Sequence, residues 1–127
     1  MAERAVPSAE LFFAGFAELP ASRRYGAAFF MQVLEHLADP DAAIRRLLEV
    51  VEDDGTLVLT VPDGREDRFP AKEYDPEFGS YSGHVNFWSP EGWHHFLARA
   101  APGCRIHSAK LATGQLFAAL TKEAHSR

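Results

Sequence analysis

The chain has 127 residues, of which 46% are hydrophobic and 24% charged, and its formal net charge is −5. That length holds one domain with a real core but is short for a complete α/β enzyme. The acidic balance argues against a nucleic-acid backbone as main partner, because phosphate binding needs clustered Lys and Arg.

No window approaches the ~20 consecutive apolar residues of a membrane span. Residues 1–10 (MAERAVPSAE) lack the basic region and apolar core of a secretory leader, so none is expected. The one cysteine, Cys104, excludes an internal disulfide and a multi-cysteine metal site. It reads as a small buried apolar residue, and a reducing, cytoplasmic location is the default expectation.

In chain order, residues 1–10 read as a weakly helical start and residues 11–15 (LFFAG) as a short apolar strand. A loop punctuated by Pro20 follows over residues 16–24. Residues 27–31 (AAFFM) are unbroken apolar, the pattern of a strand covered on both faces. A short polar turn carries Glu35 and His36. Asp39 then supplies a helix N-cap and Pro40 the first helical position, where a missing N–H costs nothing. Ile44, Leu47, Leu48 and Val51 recur at helical spacing and predict one sheet-facing side. Asp53, Asp54 and Gly55 are expected to end that helix, with the glycine in the left-handed turn. Residues 56–61 (TLVLTV) are a second strand, rich in β-branched residues and stopped by Pro62.

Residues 63–88 are polar, aromatic and rich in Gly and Pro, and a connection of that length suggests a lid-like loop. Its earlier aromatics, Phe69, Tyr74, Phe78 and Tyr81, suit an apolar wall over a ligand, whereas Phe87 and Trp88 suit the core. Ser89 and Pro90 repeat the cap-plus-proline signature. Trp93, Phe96, Leu97 and Ala100 define a second amphipathic helix closed by Pro102 and Gly103. Residues 104–111 and 115–121, turning near Gly114, form a hairpin. His94 and His95 are adjacent on the helix and point ~100° apart, so they make no chelating pair.

Two apolar strands joined by a helix form a right-handed βαβ crossover, the unit of parallel sheets. Ligands on such sheets bind beyond the carboxyl ends of the strands, where Glu35 and His36 fall. Both residues equally suit a purely structural role, capping the turn and the helix that follows. His84 sits where the long loop returns to the second helix, and an ordinary loop histidine is the plainer reading of it.

The combination VLEHL, a DP helix start, a DG turn, TVP and HVNFWSPE, in that order, resembles class I S-adenosylmethionine-dependent methyltransferases over roughly residues 11–121. It is most similar to the C-terminal half of small-molecule O- and C-methyltransferases, including those of ubiquinone biosynthesis. The resemblance implies an α/β fold: a partial Rossmann-like methyltransferase sheet, with parallel strands 4 and 5, a terminal antiparallel hairpin, and the N-terminal strands missing. On this reading residues 1–127 are one partial domain whose start, residues 1–24, is poorly defined.

The cofactor so implied is S-adenosylmethionine, with contacts at Phe16 and Ala17 and, after the strand, at Phe30, Met31 and Gln32. The resemblance also exposes departures. The first strand with its glycine loop, and the second with its acidic end, have no counterpart. Phe16 stands where the family usually has an Asp that accepts from the adenine amino group, and Gly26 where it usually has an Asp opening the strand. The chain by itself is therefore expected to bind the cofactor weakly or not at all.

For methyl transfer to a hydroxyl, a protein must align the nucleophile and remove its proton. The catalytic candidates are His36, His84, and Glu35 as a residue that orients His36. Some ubiquinone-type relatives bind a metal through E-x-x-E-H at this turn. Here Gln32 replaces the first carboxylate, and no metal is expected. The partner expected is a small-molecule methyl acceptor, with neither nucleic acid nor membrane. Without a first strand, residues 27–31 are a bare sheet edge, so a homodimer or partner chain there is expected, or cover from residues 11–14. The alternative function is a non-catalytic methyltransferase-like interaction module or a truncated remnant.

Overall fold

The structure, a computed structural model, describes residues 24–77 and 79–123. The strand expected at residues 11–15, the loop positions Phe16 and Ala17, and Phe78 lie outside them. The elements are β1 (Tyr25–Met31), a 3-10 turn (Leu34–His36), α1 (Pro40–Glu49), β2 (Val51–Pro62), β3 (Tyr74–Asp75), β4 (Ser80–Tyr81), α2 (Pro90–Ala100), β5 (Cys104–Lys110) and β6 (Gln115–Lys122).

The main sheet has the order β1-β2-β6-β5. β1 and β2 run parallel, with Phe29 opposite Val58 and Met31 opposite Thr60. β6 is antiparallel to both of its neighbours, β2 and β5. The crossover and the terminal hairpin thus form as the patterning predicts.

Period-2 side-chain alternation places Leu57, Leu59 and Val61 on one face of β2, directly across from Leu120, Ala118 and Leu116 of β6. All six are fully buried. α1 covers this face through Ala43, Ile44 and Leu47, and α2 through Trp93, Phe96, Leu97 and Ala100. Each helix starts at the residue its cap dictates. Asp39 accepts from the Ala42 N–H at 3.1 Å and Ser89 from the Gly92 N–H at 3.0 Å, each followed by proline. Among the described residues, no helix is long and apolar enough to cross a membrane.

Two expectations need correction. First, α1 ends at Glu49 and Val51 already belongs to β2, so the chain turns earlier than residues 53–55. The end is set from a distance: the Lys122 ammonium donates to Leu48 O at 2.8 Å and Val51 O at 3.0 Å, satisfying carbonyls that another helical turn would have used. Residues 52–55 then bulge opposite Gly26, since Tyr25 pairs with Val51 but Ala27 with Thr56. The positive φ, +67°, falls on Asp54 rather than Gly55. Gly55 is needed for space instead, because a Cβ there would lie 2.8 Å from Gly26 O and from Glu52 O.

Second, β1 is not covered on both faces. Ala28 and Phe30 pack on the core, while Ala27, Phe29 and Met31 are exposed. Phe29 is 69% exposed, so among the described residues this face has no second layer.

Candidate functional site

The site is built at the carboxyl end of β1, where the chain must turn sharply off the sheet. Gln32 makes that turn in the left-handed region at φ 60°. Its backbone N–H donates to Thr60 O at 2.8 Å, and its side-chain amide donates to the Thr60 hydroxyl at 3.1 Å. The 3-10 turn follows at once, burying Leu34 and Glu35 and leaving His36 half-buried.

A strap from the long connection closes over this turn. The Asn86 side-chain amide donates to Leu34 O at 2.9 Å and Leu37 O at 2.7 Å. The Val85 and Asn86 N–H groups both donate to Glu35 O, at 2.8 and 3.2 Å. Gly83 is buried against residues 70–71, where a Cβ would overlap Pro70 O and the Ala71 Cα. That close passage delivers His84 to the turn.

Three side chains converge there. His36 Nδ1 donates to Gly83 O at 2.7 Å, with Tyr81 O at 3.1 Å. A carbonyl only accepts, so this nitrogen carries the proton and Nε2 keeps its lone pair. His84 Nδ1 lies 2.5 Å from Asp67 Oδ2, which holds that imidazole in the same tautomer. The two rings meet edge to face, with centroids 4.6 Å apart. Both Nε2 atoms face Glu35 Oε2, His36 at 3.8 Å and His84 at 3.9 Å, beyond hydrogen-bond range.

Glu35 is 1% exposed, and its Oε1 has no hydrogen-bond partner among the described residues. Burial pushes its carboxyl above the usual range; the Glu35 backbone hydrogen bond and the two imidazoles pull the other way.

Glu35, His36 and His84 are thus brought together. Asp67 and Asn86 were not legible in the sequence. The Asn within the apolar run of residues 85–88 was one available signal, since a polar residue there needs backbone partners. Among the proposed cofactor contacts, Phe30 packs on the core and Met31 is 49% exposed, with its sulfur 3.9 Å from the Thr60 hydroxyl. Phe16 and Ala17 lie outside the described residues.

The aromatics of the long connection divide differently from expectation. Trp88 packs on Trp93 and Phe96, at centroid distances of 5.3 and 4.9 Å, as a core residue should. Phe87, expected in the core, is 49% exposed, because its neighbours Asn86 and Trp88 take the inward positions. Phe69 and Tyr74 are also exposed. His94 bonds the Ser108 hydroxyl at 3.0 Å on the far helix and takes no part. A groove of about 570 Å³ lies between α1 and the β3–β4 hairpin, lined by Leu37, Ala42, Arg46 and Tyr74 among others, and the three converging side chains do not line it.

A mixed sheet with a parallel βαβ unit, an antiparallel closing hairpin and polar groups at the carboxyl end of the parallel strand is a partial Rossmann-like methyltransferase fold. Residues 4–108 match the sequence profile described as "Methyltransferase domain", and the chain belongs to that family.

Solved structures agree on the fold. A DhpI–SAM–HEP complex superposes with a TM-score of 0.65 at 18% identity, covering 94% of this chain and 60% of that one. A DhpI–SAH complex gives 0.61 at 19% identity, covering 87% and 52%. An O-methyltransferase family protein from Burkholderia thailandensis gives 0.62 at 12% identity, covering 98% and 39%. The chain therefore spans 52% to 60% of the length of the DhpI structures it matches. No curated protein matches it.

Proposed function

We propose that this chain forms the acceptor-binding part of an S-adenosylmethionine-dependent methyltransferase acting on a small molecule. The observation that carries this reading is the convergence of Glu35, His36 and His84 at the carboxyl end of β1, in a chain of the methyltransferase family.

The donor supplies an electrophilic methyl group and its own leaving group, so the chain's residues act on the acceptor. His36 is the base. Its Nδ1–H is anchored on Gly83 O, which aims the Nε2 lone pair, and its side chain is 29% exposed, enough to meet a ligand. Glu35 stabilises the imidazolium that forms, and Asp67 does the same for His84. The segment 63–88 then serves as a lid, with exposed Phe69 offering an apolar surface beside His84, ring centroids 5.1 Å apart.

The donor site fits only in part. Exposed Phe29 and Met31 provide one apolar wall at the end of β1. The glycine loop and ribose-binding carboxylate that the resemblance assigns to the family come, on this reading, from further chain or a partner. The isolated chain accordingly binds S-adenosylmethionine weakly or not at all. Titration calorimetry checks this, and low-micromolar affinity of the isolated chain overturns the incompleteness.

In a reconstituted assembly, His36→Ala lowers kcat about 10²–10⁴-fold with little change in acceptor KM, the range for losing a positioned base. An unchanged kcat returns His36 to a structural role. A second reading, a non-catalytic module that associates through β1, is favoured by one specific feature: the 69% exposure of Phe29 on the outermost strand among the described residues. Under that reading no reconstituted assembly transfers a methyl group.

A further inference from the structure

We propose that Glu35 and His84 hold one proton between them, and that this proton latches the strap onto the 3-10 turn and so fixes the aim of His36. Three ionisable side chains stand in a row here. Asp67 Oδ2 bonds His84 Nδ1, and on the other side of the ring His84 Nε2 faces Glu35 Oε2 at 3.9 Å. The side chains of Asp67, His84 and Glu35 are only 5%, 12% and 2% exposed.

Without an added proton this row holds two carboxylates away from water, with a neutral ring between them whose lone pair points at the second. An unpaired buried charge is costly, and a like charge nearby makes it more so. One proton taken from solvent onto the line between Nε2 and Oε2 relieves both. It makes a hydrogen bond where two lone pairs face each other, and it leaves the row one negative charge instead of two. The gap closes to hydrogen-bond range by a small side-chain rotation. Burial pushes the Glu35 carboxyl above its usual range, as a site that gathers a proton requires, and Asp67 pushes the same way. The Glu35 backbone hydrogen bond and the two imidazoles pull against them.

His36 competes for the same oxygen, at 3.8 Å, and the groups behind the two rings decide between them. Behind His36 stands a neutral carbonyl, Gly83 O; behind His84 stands a carboxylate, which favours a protonated ring far more. The proton therefore rests with His84, and the more open His36 keeps its Nε2 lone pair for an acceptor. Glu35 Oε1 is a second, independent sign. It is buried without a hydrogen-bond partner among the described residues, which costs less on a carboxyl that shares a proton than on a bare carboxylate.

The neighbours of His84 give the latch its consequence. Gly83 precedes it, and Gly83 O accepts from His36 Nδ1 at 2.7 Å. Val85 and Asn86 follow it, and both donate to Glu35 O. A proton that holds His84 against Glu35 thus also holds the carbonyl that aims the base. His84 is on this account a positioning residue, acting through His36 without touching the acceptor. The latch rests on geometry alone, and only its effect on the base rests on the methyltransferase reading.

The test is an NMR pH titration of the full chain, labelled at histidine nitrogens and glutamate carboxyl carbons. The His84 Nε2 and Glu35 carboxyl signals are expected to move in one shared step, as coupled groups do, with His94, His95 and His107 titrating separately. Linkage fixes the sign: closing binds the proton more tightly, so the strap is held while the proton is bound and loosens as pH rises through that step. Protection of the Val85 and Asn86 amides, corrected for intrinsic exchange, is expected to fall about 10–100-fold across it, the size of one charge-assisted hydrogen bond, while that of the α2 amides stays. Glu35→Gln, checked for folding by thermal melting, offers His84 a permanent N–H donor, and its strap protection is expected to be flat over the same range. A His84 ring that titrates without any response at Glu35, or strap protection in the unmutated chain that does not change with pH, overturns the proposal. These readings involve no methyl transfer, so the methyltransferase reading is decided separately in the reconstituted assembly.

Discussion

At the scale of single residues, Asp63 shows how a buried charge is made tolerable. It is 1% exposed, and its carboxylate accepts from Arg65 Nη2 at 2.7 Å and Lys110 Nζ at 3.0 Å. The Arg65 hydrogen bonds hold its carboxyl well below the usual range, against the opposing effect of burial. A folded-state value below the unfolded one of ~3.9 makes this group stabilising above pH ~4, and the contribution fades as pH falls further. Asp63→Asn is therefore expected to lower stability at pH 7 and to lose that deficit progressively below pH ~4. Urea denaturation of both proteins at pH 7 and pH 3 measures it, and an equal deficit at the two values rules the ion pair out as cause.

At the scale of elements, the decisive contact is the strap of residues 83–86 on the 3-10 turn. Neither piece belongs to the main sheet, and each satisfies part of the other's backbone through Asn86 and through Glu35 O. Asn86→Ala removes the amide hydrogen bonds to Leu37 O and to Leu34 O, the latter keeping only the Leu37 N–H at 3.2 Å. It is expected to cost about 1–3 kcal/mol, the penalty for leaving a buried acceptor unmet. The same change lets His36 and His84 separate, so their ring signals lose mutual contacts in NMR while those of α2 persist. A variant of unchanged stability and unchanged ring contacts means that the strap is held by other means. The helices behave more locally: their starts at Asp39 and Ser89 follow from adjacent residues, but the end of α1 depends on Lys122, 74 positions away from Leu48.

At the scale of the molecule, β1 is the outermost strand of the main sheet among the described residues and presents Ala27, Phe29 and Met31 outward. Among the described residues nothing covers these apolar side chains, and such a face is a site for another chain. We expect the protein to self-associate or capture a partner here, shielding Phe29 and Met31 in the associated state. Phe29→Lys is expected to shift sedimentation toward monomer, because it places a charge in the interface without touching the core side of β1. A parent chain that stays a monodisperse monomer and captures no partner counts against this.

The β–α–β–loop–α–β–β order was legible in the sequence because each element is signalled within a few residues. Asp39-Pro40 and Ser89-Pro90 start helices by satisfying nearby N–H groups, and the strand at residues 56–61 is written in β-branched residues. The family could be read the same way, from motifs in a fixed order. What needed the tertiary structure is whatever depends on residues far apart in the chain. The bulge at residues 52–55 answers to Gly26, the bare face of β1 answers to which layers exist, and His84 reaches Glu35 only because Gly83 passes tightly over residues 70–71. Sequence alone determined which side chains carry protons and charge. Only the fold decided which of them face one another, since hydrogen bonds and ion contacts act over a few ångströms of space whatever the separation along the chain.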